Sequence, residues 1–297
     1  MTFPPVSPPL PIPFLETVSN PAREFDEFLL RYDPARRPAG DRPPDLADSL
    51  AALARAPGLA AALAGLPIRA RCLIEGYAGP ANASALRDFL AARGHMVRSL
   101  TAVDLHDVPA AYARLGLPAP DLRFIRADAC DLSPHLADAS VDVLVQDFLL
   151  NCVPLARAPR LLAEAARVLE PGGVAILSFT DDTGARRCPR FTSDELASRW
   201  GLGWAPDAVH LRDLGADESR LPALLAALAG GVITRPPAPG CAFVTAPHGR
   251  FEFFTPLEHT VGLLDAAGLE VRLMTTETGR DDQGLVCVRH RCLALRR

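Results

Sequence analysis

Residues 141–180 constrain the fold of this chain more than any other segment. Two continuous apolar runs, VDVLVQD and GVAILSFT, flank the stretch LLAEAARVLE, in which apolar residues recur at helical spacing. Apolar strands joined by a helix are typical of a parallel sheet that is covered on both faces. Because ligands of such sheets bind beyond the carboxyl ends of the strands, we expect Gln146, Asp147 and Asn151 to lie at a functional edge.

The same alternation of apolar runs and amphipathic stretches extends in both directions from this unit. It predicts an α/β fold with a doubly wound, seven-stranded, mostly parallel sheet. The other five strands are expected at residues 71–75, 97–104, 122–127, 269–276 and 285–295.

Four parts of the chain differ in composition and pattern. We expect residues 1–66 to form a Pro-rich segment and helical cap, and residues 67–182 to form an α/β core. Residues 183–254 are expected to be an insertion that forms a lid on the substrate side. Residues 255–297 are expected to form a final helix and two strands. The first 44 residues hold eleven of the 29 prolines. The N-terminal part is either a packing appendage or a cap over an active site, and the sequence leaves both open.

Composition excludes several classes of function. All 31 basic residues are arginine, so the chain can form neither a pyridoxal-phosphate Schiff base nor a Walker-type phosphate loop. The net charge of −4, without a basic block among aromatic residues, argues against nucleic-acid binding. The seven cysteines contain no CxxC pair, so neither a disulfide framework nor a zinc site is indicated, and we expect no metal.

The sequence also carries expectations about location and partners. No uninterrupted apolar run approaches the ~20 residues that span a bilayer, and the N-terminus lacks the pattern of a signal peptide. We therefore expect a soluble, cytoplasmic protein that binds a small-molecule substrate and neither membrane nor nucleic acid. Whether it is a monomer or a homodimer stays open.

Carboxylates follow the ends of four successive predicted strands, at Glu75, Asp104, Asp128 and Asp147. Asp104 lies 29 residues after Glu75. An acidic residue at this position can accept hydrogen bonds from both hydroxyls of a ribose. Asp128 can accept one from an exocyclic amine such as that of adenine. The turn after Glu75 leads into a helix whose N-terminus favours a negatively charged group. The pattern thus predicts a nucleoside across this edge of the sheet.

Taken together, these segments resemble the class I S-adenosylmethionine-dependent methyltransferases over about 71–181, and more moderately over 251–273. LIEGYAGPANAS resembles the first motif of that family, AVDLHDVPAAYAR its ribose-binding strand, RADACDL its adenine-binding turn, and VDVLVQDFLLNCVP its fourth strand with the active-site tip. The resemblance implies the Rossmann-like methyltransferase fold, S-adenosylmethionine as cofactor, and methyl transfer to a small molecule.

The resemblance also implies a role for each site residue. The implied cofactor-binding residues are Glu75, Tyr77, Gly79, Asp104, Leu105, Asp128, Ala129 and Asp147. Within this set, Asp104 would hold the ribose, with Leu105 or His106 beside the adenine, and Asp147 would lie near the methionine ammonium. Asp128 would meet the adenine amine, and the backbone N–H of Ala129 a ring nitrogen. Asn151 would shape the pocket around the transferable methyl group and is an implied catalytic residue.

The glycine loop departs from the family pattern, because its three glycine positions hold Tyr77, Gly79 and Ala81. The ring of Tyr77 either faces the pocket, as a catalytic cation–π partner of the sulfonium, or faces the core. Two other functions stay open beside methyl transfer. One is a different reaction of S-adenosylmethionine, namely aminocarboxypropyl transfer or internal cyclisation with release of methylthioadenosine. The other is a non-catalytic binding member of the family.

Overall fold

The computed structural model describes residues 26, 29–30, 45–77, 81–118, 121–153, 157–181, 190–191, 209–211, 242–245, 251–254, 256–280 and 286–297. The strands of its main sheet are β1 Arg69–Glu75, β2 Met96–Asp104, β3 Arg123–Arg126, β4 Val141–Asp147, β5 Leu169–Thr180, β10 Leu269–Arg280 and β11 Val286–Arg296. The helices used below are α1 Leu46–Ala54, α2 Leu59–Leu63, α3 Asn82–Ala91, α4 Val108–Leu115, α5 Ala158–Val168 and α6 Leu257–Ala266, with a 3₁₀ turn at Leu149–Cys152.

The main sheet has seven strands in the order β10-β11-β5-β4-β1-β2-β3. The five strands from β1 to β5 are parallel, and β11 runs antiparallel to both β5 and β10. The predicted doubly wound, mostly parallel sheet is therefore confirmed. A second sheet pairs β6 Arg190–Phe191, β7 Val209–Leu211, β8 Ala242–Thr245 and β9 Phe251–Phe254.

Helices cover the main sheet on both faces. One face packs against α1, α3 and α4, and the other against α5 and α6. β4 is buried from Val141 to Gln146, as expected for a strand that is covered on both sides. Helix α5 turns Leu161, Leu162 and Ala165 inward, in agreement with the predicted spacing.

An ion-pair cluster fixes the amino ends of the central strands. The Arg71 guanidinium donates to Asp142 Oδ2 and Oδ1 at 3.0 and 2.7 Å and to Glu170 Oε1 at 2.8 Å. Burial favours a raised pKa for Asp142, but the hydrogen bonds from Arg71 lower it overall. The cluster joins β1, β4 and β5 at the end of the sheet opposite the predicted site.

Gly58 (φ 90°) separates α1 from α2, and β8 pairs antiparallel with β9. The pattern Thr255-Pro256 indicates a helix with Pro256 at its first position, whereas Pro256 is the N-cap of α6. Residues 192–200 and 218–229, whose sequence patterns indicate helices, lie outside the described residues.

None of the helices formed by the described residues is both long and apolar enough to cross a bilayer.

Candidate functional site

Glu75 ends β1 as a fully buried carboxyl. Its Oε2 accepts a hydrogen bond from Gln146 Nε2 at 2.6 Å, whereas its Oε1 is buried and has no partner among the described residues. Burial raises the pKa of Glu75 to about 8, although the bond from Gln146 opposes the shift. A buried oxygen without a donor is costly, so this position favours a further donor from the adjoining loop or from a ligand.

The turn after Glu75 brings the backbone close to the tip of β4. Gly76 has φ 71°, and a Cβ built there would lie 3.0 Å from Leu149 Cδ1, so this position requires glycine. Its N–H donates to the Val103 carbonyl at 2.9 Å. The next residue, Tyr77, donates its N–H to Asp104 Oδ2 at 3.0 Å. The loop after β1 is therefore fixed to the end of β2 through its backbone.

The ring of Tyr77 lies in the core. It is fully buried, with an edge-to-face contact to Phe124 at 5.2 Å between ring centroids and a tilted contact to Tyr112 at 6.4 Å. The second of the two predicted orientations is thus the one observed, because this aromatic cluster surrounds the ring. The catalytic role expected for the Tyr77 ring was wrong, and only the backbone of this residue faces the site.

Asp104 stands at the end of β2 with its carboxylate oriented from two sides. Besides the bond from Tyr77, its Oδ1 accepts the N–H of His106 at 2.8 Å. Each carboxylate oxygen can accept two hydrogen bonds, so this geometry is compatible with added donors such as ribose hydroxyls. The neighbouring Leu105 side chain is 62% exposed and offers an apolar surface for a flat ring.

Asp128 lies just beyond β3, next to the end of β2. Its Oδ1 accepts the N–H of Cys130 at 2.9 Å, and its Oδ2 accepts from Arg157 at the start of α5. Burial alone would raise the pKa of Asp128, but the bonds from Arg157 and Cys130 lower it overall. Ala129, in the same turn, is half-buried. Asp128 is therefore a carboxylate held ionised at this edge.

Asp147 ends β4 beneath helix α1. The Ser49 hydroxyl donates to Asp147 Oδ1 at 2.8 Å across 98 positions of sequence. Burial raises the pKa of Asp147 to about 6, and the nearby charge of Asp45 adds to the shift, whereas the neighbouring hydroxyls of Ser178 and Ser49 oppose it. A segment from the N-terminal part of the chain therefore contacts the acidic edge directly.

The tip of β4 is held to β5 by Asn151. Its Oδ1 accepts the N–H of Thr180 at 2.8 Å and its Nδ2 donates to the Thr180 carbonyl at 3.0 Å. Phe148 adopts the left-handed conformation (φ 56°), which is uncommon for a bulky residue and clusters at functional sites. The catalytic role expected for Asn151 is corrected to a positioning one, because its amide is bonded to the Thr180 backbone.

The structure brings four of the predicted residues to the carboxyl edge of β1–β4, namely Glu75, Asp104, Asp128 and Asp147. Gly79 lies outside the described residues. The sequence did not reveal the partners Ser49 and Arg157. For Ser49 a signal existed, because it stands among Leu46, Leu50 and Leu53 on the apolar face of α1, where a hydroxyl needs a polar partner. For Arg157 no spacing or motif pointed to Asp128.

One known protein family matches part of this chain. Residues 78–177 match the family described as "Methyltransferase domain". No curated protein matches the chain. A similar solved structure is an S-adenosylmethionine-dependent methyltransferase from Methanosarcina mazei, with 18% identity and a TM-score of 0.47 over 78% of this chain and 94% of that one. The 1,6-didemethyltoxoflavin-N1-methyltransferase of Burkholderia thailandensis is 18% identical, with a TM-score of 0.46 over 98% of this chain and 93% of that one. An arsenic(III) methyltransferase from Chlamydomonas reinhardtii is 21% identical, with a TM-score of 0.41 over 86% of this chain and 74% of that one. These similarities are too weak to carry over a substrate.

The residues present also fit an adenosyl cofactor with a methionine end. Asp104 offers a fixed carboxylate, Leu105 an exposed apolar surface, and Asp128 an ionised acceptor, all at one edge. The buried, unpaired Oε1 of Glu75 and the Asp147 carboxyl continue the edge toward β4. The α/β core of this chain matches a methyltransferase domain over residues 78–177, and S-adenosylmethionine is its cofactor.

Proposed function

We propose that this chain transfers a methyl group from S-adenosylmethionine to a small molecule by direct displacement. The observation that carries the proposal is the fixed carboxylate of Asp104. It is oriented by N–H groups from the loops after β1 and β2, at the edge shared with Glu75, Asp128 and Asp147.

Each acid has its own task in binding the cofactor. Asp104 accepts the ribose hydroxyls, and Asp128, oriented by Arg157, accepts the adenine amine. The exposed side chain of Leu105 supports one face of the adenine. Asp147 pairs with the methionine ammonium, since it is the carboxylate at the strand end next to Glu75.

The cofactor supplies a methyl group that its sulfonium has already activated. The protein therefore has to align the acceptor with this group and to keep water out. Helix α1 covers the edge at Asp147 through Ser49, which supports a cap role for the N-terminal part of the chain. Asn151 fixes the tip of β4 against β5 and so holds the wall beside the methyl group.

The covering of this edge by α1 supports a small-molecule acceptor. α1 lies over the end of β4, and more than 70 residues separate β5 from α6 in the sequence. Long connections on the strand-end side of α/β enzymes usually carry substrate specificity. An enclosed edge of this kind suits a compact acceptor better than a macromolecule.

Cofactor binding and product analysis test the proposal together. Wild-type protein is titrated calorimetrically with S-adenosylhomocysteine and then incubated with methyl-labelled S-adenosylmethionine and pools of small metabolites. We expect binding, a labelled product and S-adenosylhomocysteine. Asp104→Ala should abolish both activities, whereas Asp107→Asn, which keeps the cap of α4 at an exposed position, should retain them.

The products separate the other two functions. Methylthioadenosine in place of S-adenosylhomocysteine would show transfer of another group or cyclisation. Wild-type protein with no affinity for either compound would overturn the enzymatic proposal and favour a non-catalytic binding role.

A further inference from the structure

On the face of the main sheet that packs against α1, the side chains change from apolar to polar toward the carboxyl edge of the sheet. Four apolar side chains stand side by side across adjacent strands, namely Val145, Ile176, Leu293 and Leu273. Two residues nearer the carboxyl edge, the same four strands carry a row that is entirely polar: Asp147, Ser178, Arg291 and Thr275. Successive side chains alternate between faces, so both rows point to the same side. We call the second set the polar row.

Two residues of the polar row, Ser178 and Arg291, are buried, and the row is only partly paired. Ser178 is 1% exposed and Arg291 2%. Arg291 Nη1 donates to Glu277 Oε2 at 2.7 Å, but Arg291 Nε and Thr275 Oγ1 are buried without a hydrogen-bond partner among the described residues. The side chain of Glu277 is 50% exposed, so solvent weakens its pairing with the buried guanidinium. A buried guanidinium that is only weakly paired costs free energy unless a further acceptor forms hydrogen bonds with it.

The polar row also adjoins the proposed cofactor site. Asp147, its first member, is the residue assigned to the methionine ammonium. Helix α1 covers the row, since Ser49 bonds to Asp147 and the helix also contacts β11 and β10. A few polar groups that converge in an otherwise apolar, covered space are the usual pattern of a small-molecule site.

We infer that the polar row binds the methyl acceptor, and that the acceptor carries a carboxylate held by Arg291 and Thr275. The inference rests on the proposed function for the identity of the ligand. The Nε edge of a guanidinium forms forked pairs with carboxylates, and the threonine hydroxyl can donate beside it. Two strand spacings, about 10 Å, separate β4 from β11, so the acceptor reaches from Arg291 toward the methyl group near Asp147.

The charges in the row fix which end of the ligand is anionic. A carboxylate in contact with Arg291 lies at about 3 Å from the guanidinium and at about 10 Å from Asp147. Because Coulomb energy falls with distance, the attraction exceeds the repulsion about threefold at equal dielectric. Pairing of Asp147 with the cofactor ammonium reduces the repulsion further. The row therefore selects an anionic group at β11.

Matched acids and amides test this inference. Protein saturated with S-adenosylhomocysteine is titrated with benzoate and formate, and with benzamide and formamide. We expect the two acids to bind and the amides to bind at least tenfold more weakly. Arg291→Met should reduce acid affinity at least tenfold, and Thr275→Val severalfold. Arg272→Met removes an exposed arginine on β10 that pairs with Glu270 and should leave acid binding unchanged.

Several results would overturn the inference. These are equal binding of acids and amides, unchanged acid affinity in Arg291→Met, or no acid binding to the loaded wild-type protein, in which case the polar row holds only water. Should Arg291→Met fail to fold, Thr275→Val decides, because it removes one hydroxyl at nearly constant volume. If the wild-type protein does not bind S-adenosylhomocysteine, the proposed function fails, and the acid titration of the free protein still tests the row.

Discussion

Lowering the pH from 7 to 5 should weaken the binding of S-adenosylhomocysteine about tenfold, because Asp147 takes up a proton. Its pKa is raised to about 6, mainly by burial. Only the ionised carboxylate can pair with the ligand ammonium, so affinity is present above this pKa and is lost below it. With that pKa, roughly 90% of Asp147 is ionised at pH 7 and roughly 10% at pH 5. The difference corresponds to about 1.3 kcal/mol of binding free energy.

Isothermal titration calorimetry at four pH values between 5 and 8, at constant ionic strength, measures this effect. Asp147→Asn should bind more weakly at pH 7 and show little change down to pH 5. Asp128→Asn is the matched control, since the pKa of Asp128 is lowered and the residue stays ionised over this range. It should lose affinity but keep the pH dependence. Ser49→Ala removes a donor to Asp147 and should move the midpoint to higher pH.

Two results would refute the reasoning. Wild-type affinity that is equal at pH 7 and pH 5 would show that Asp147 does not pair with the ammonium. An Asp147→Asn variant with the wild-type pH dependence would show that another group titrates.

Three further perturbations test other parts of the site. Asp104→Asn removes charge-assisted hydrogen bonds worth about 1.5–3 kcal/mol, so calorimetry should show a 10- to 100-fold loss of S-adenosylhomocysteine affinity; an unchanged value would remove the ribose role. Glu75 ionises at a higher pH in the folded than in the unfolded chain, so wild-type stability should fall as the pH rises from 5 to 8. Urea unfolding should show that the free energy of unfolding of the wild type falls by on the order of 4 kcal/mol over that range, whereas that of Glu75→Gln does not. Parallel pH dependences of the two proteins would contradict this. Deletion of residues 1–44, which leaves α1 in place, should keep cofactor affinity within severalfold but abolish turnover, and unchanged turnover would rule out a cap role for these 44 residues.

The fold was predictable because its strands are short, continuous apolar runs that end in acids. Glu75, Asp104, Asp128 and Asp147 could be assigned to one edge, since parallel strands place their carboxyl ends together. Their hydrogen-bond partners could not be assigned. The bonds from Ser49 and Arg157 form only after distant segments pack, and no local spacing records them.

The orientations of Tyr77 and Asn151 show the same limit. The ring of a tyrosine in a glycine position could face either the pocket or the core. It faces the core here because it packs against Phe124 and Tyr112. Asn151 was expected at the methyl group because it stands at the tip of β4. Its two bonds to Thr180 depend on the distance between β4 and β5, which the sequence does not record.

The pairing of Asn151 with Thr180 has a consequence for engineering. It joins the tip of β4 to the last residue of β5, directly before the long segment that follows residue 181. That segment therefore departs from a fixed junction, and a replacement grafted at this junction would inherit an unaltered cofactor edge. Such a graft would leave Arg291 and Thr275 in place, so the preference for an acidic acceptor should survive the exchange.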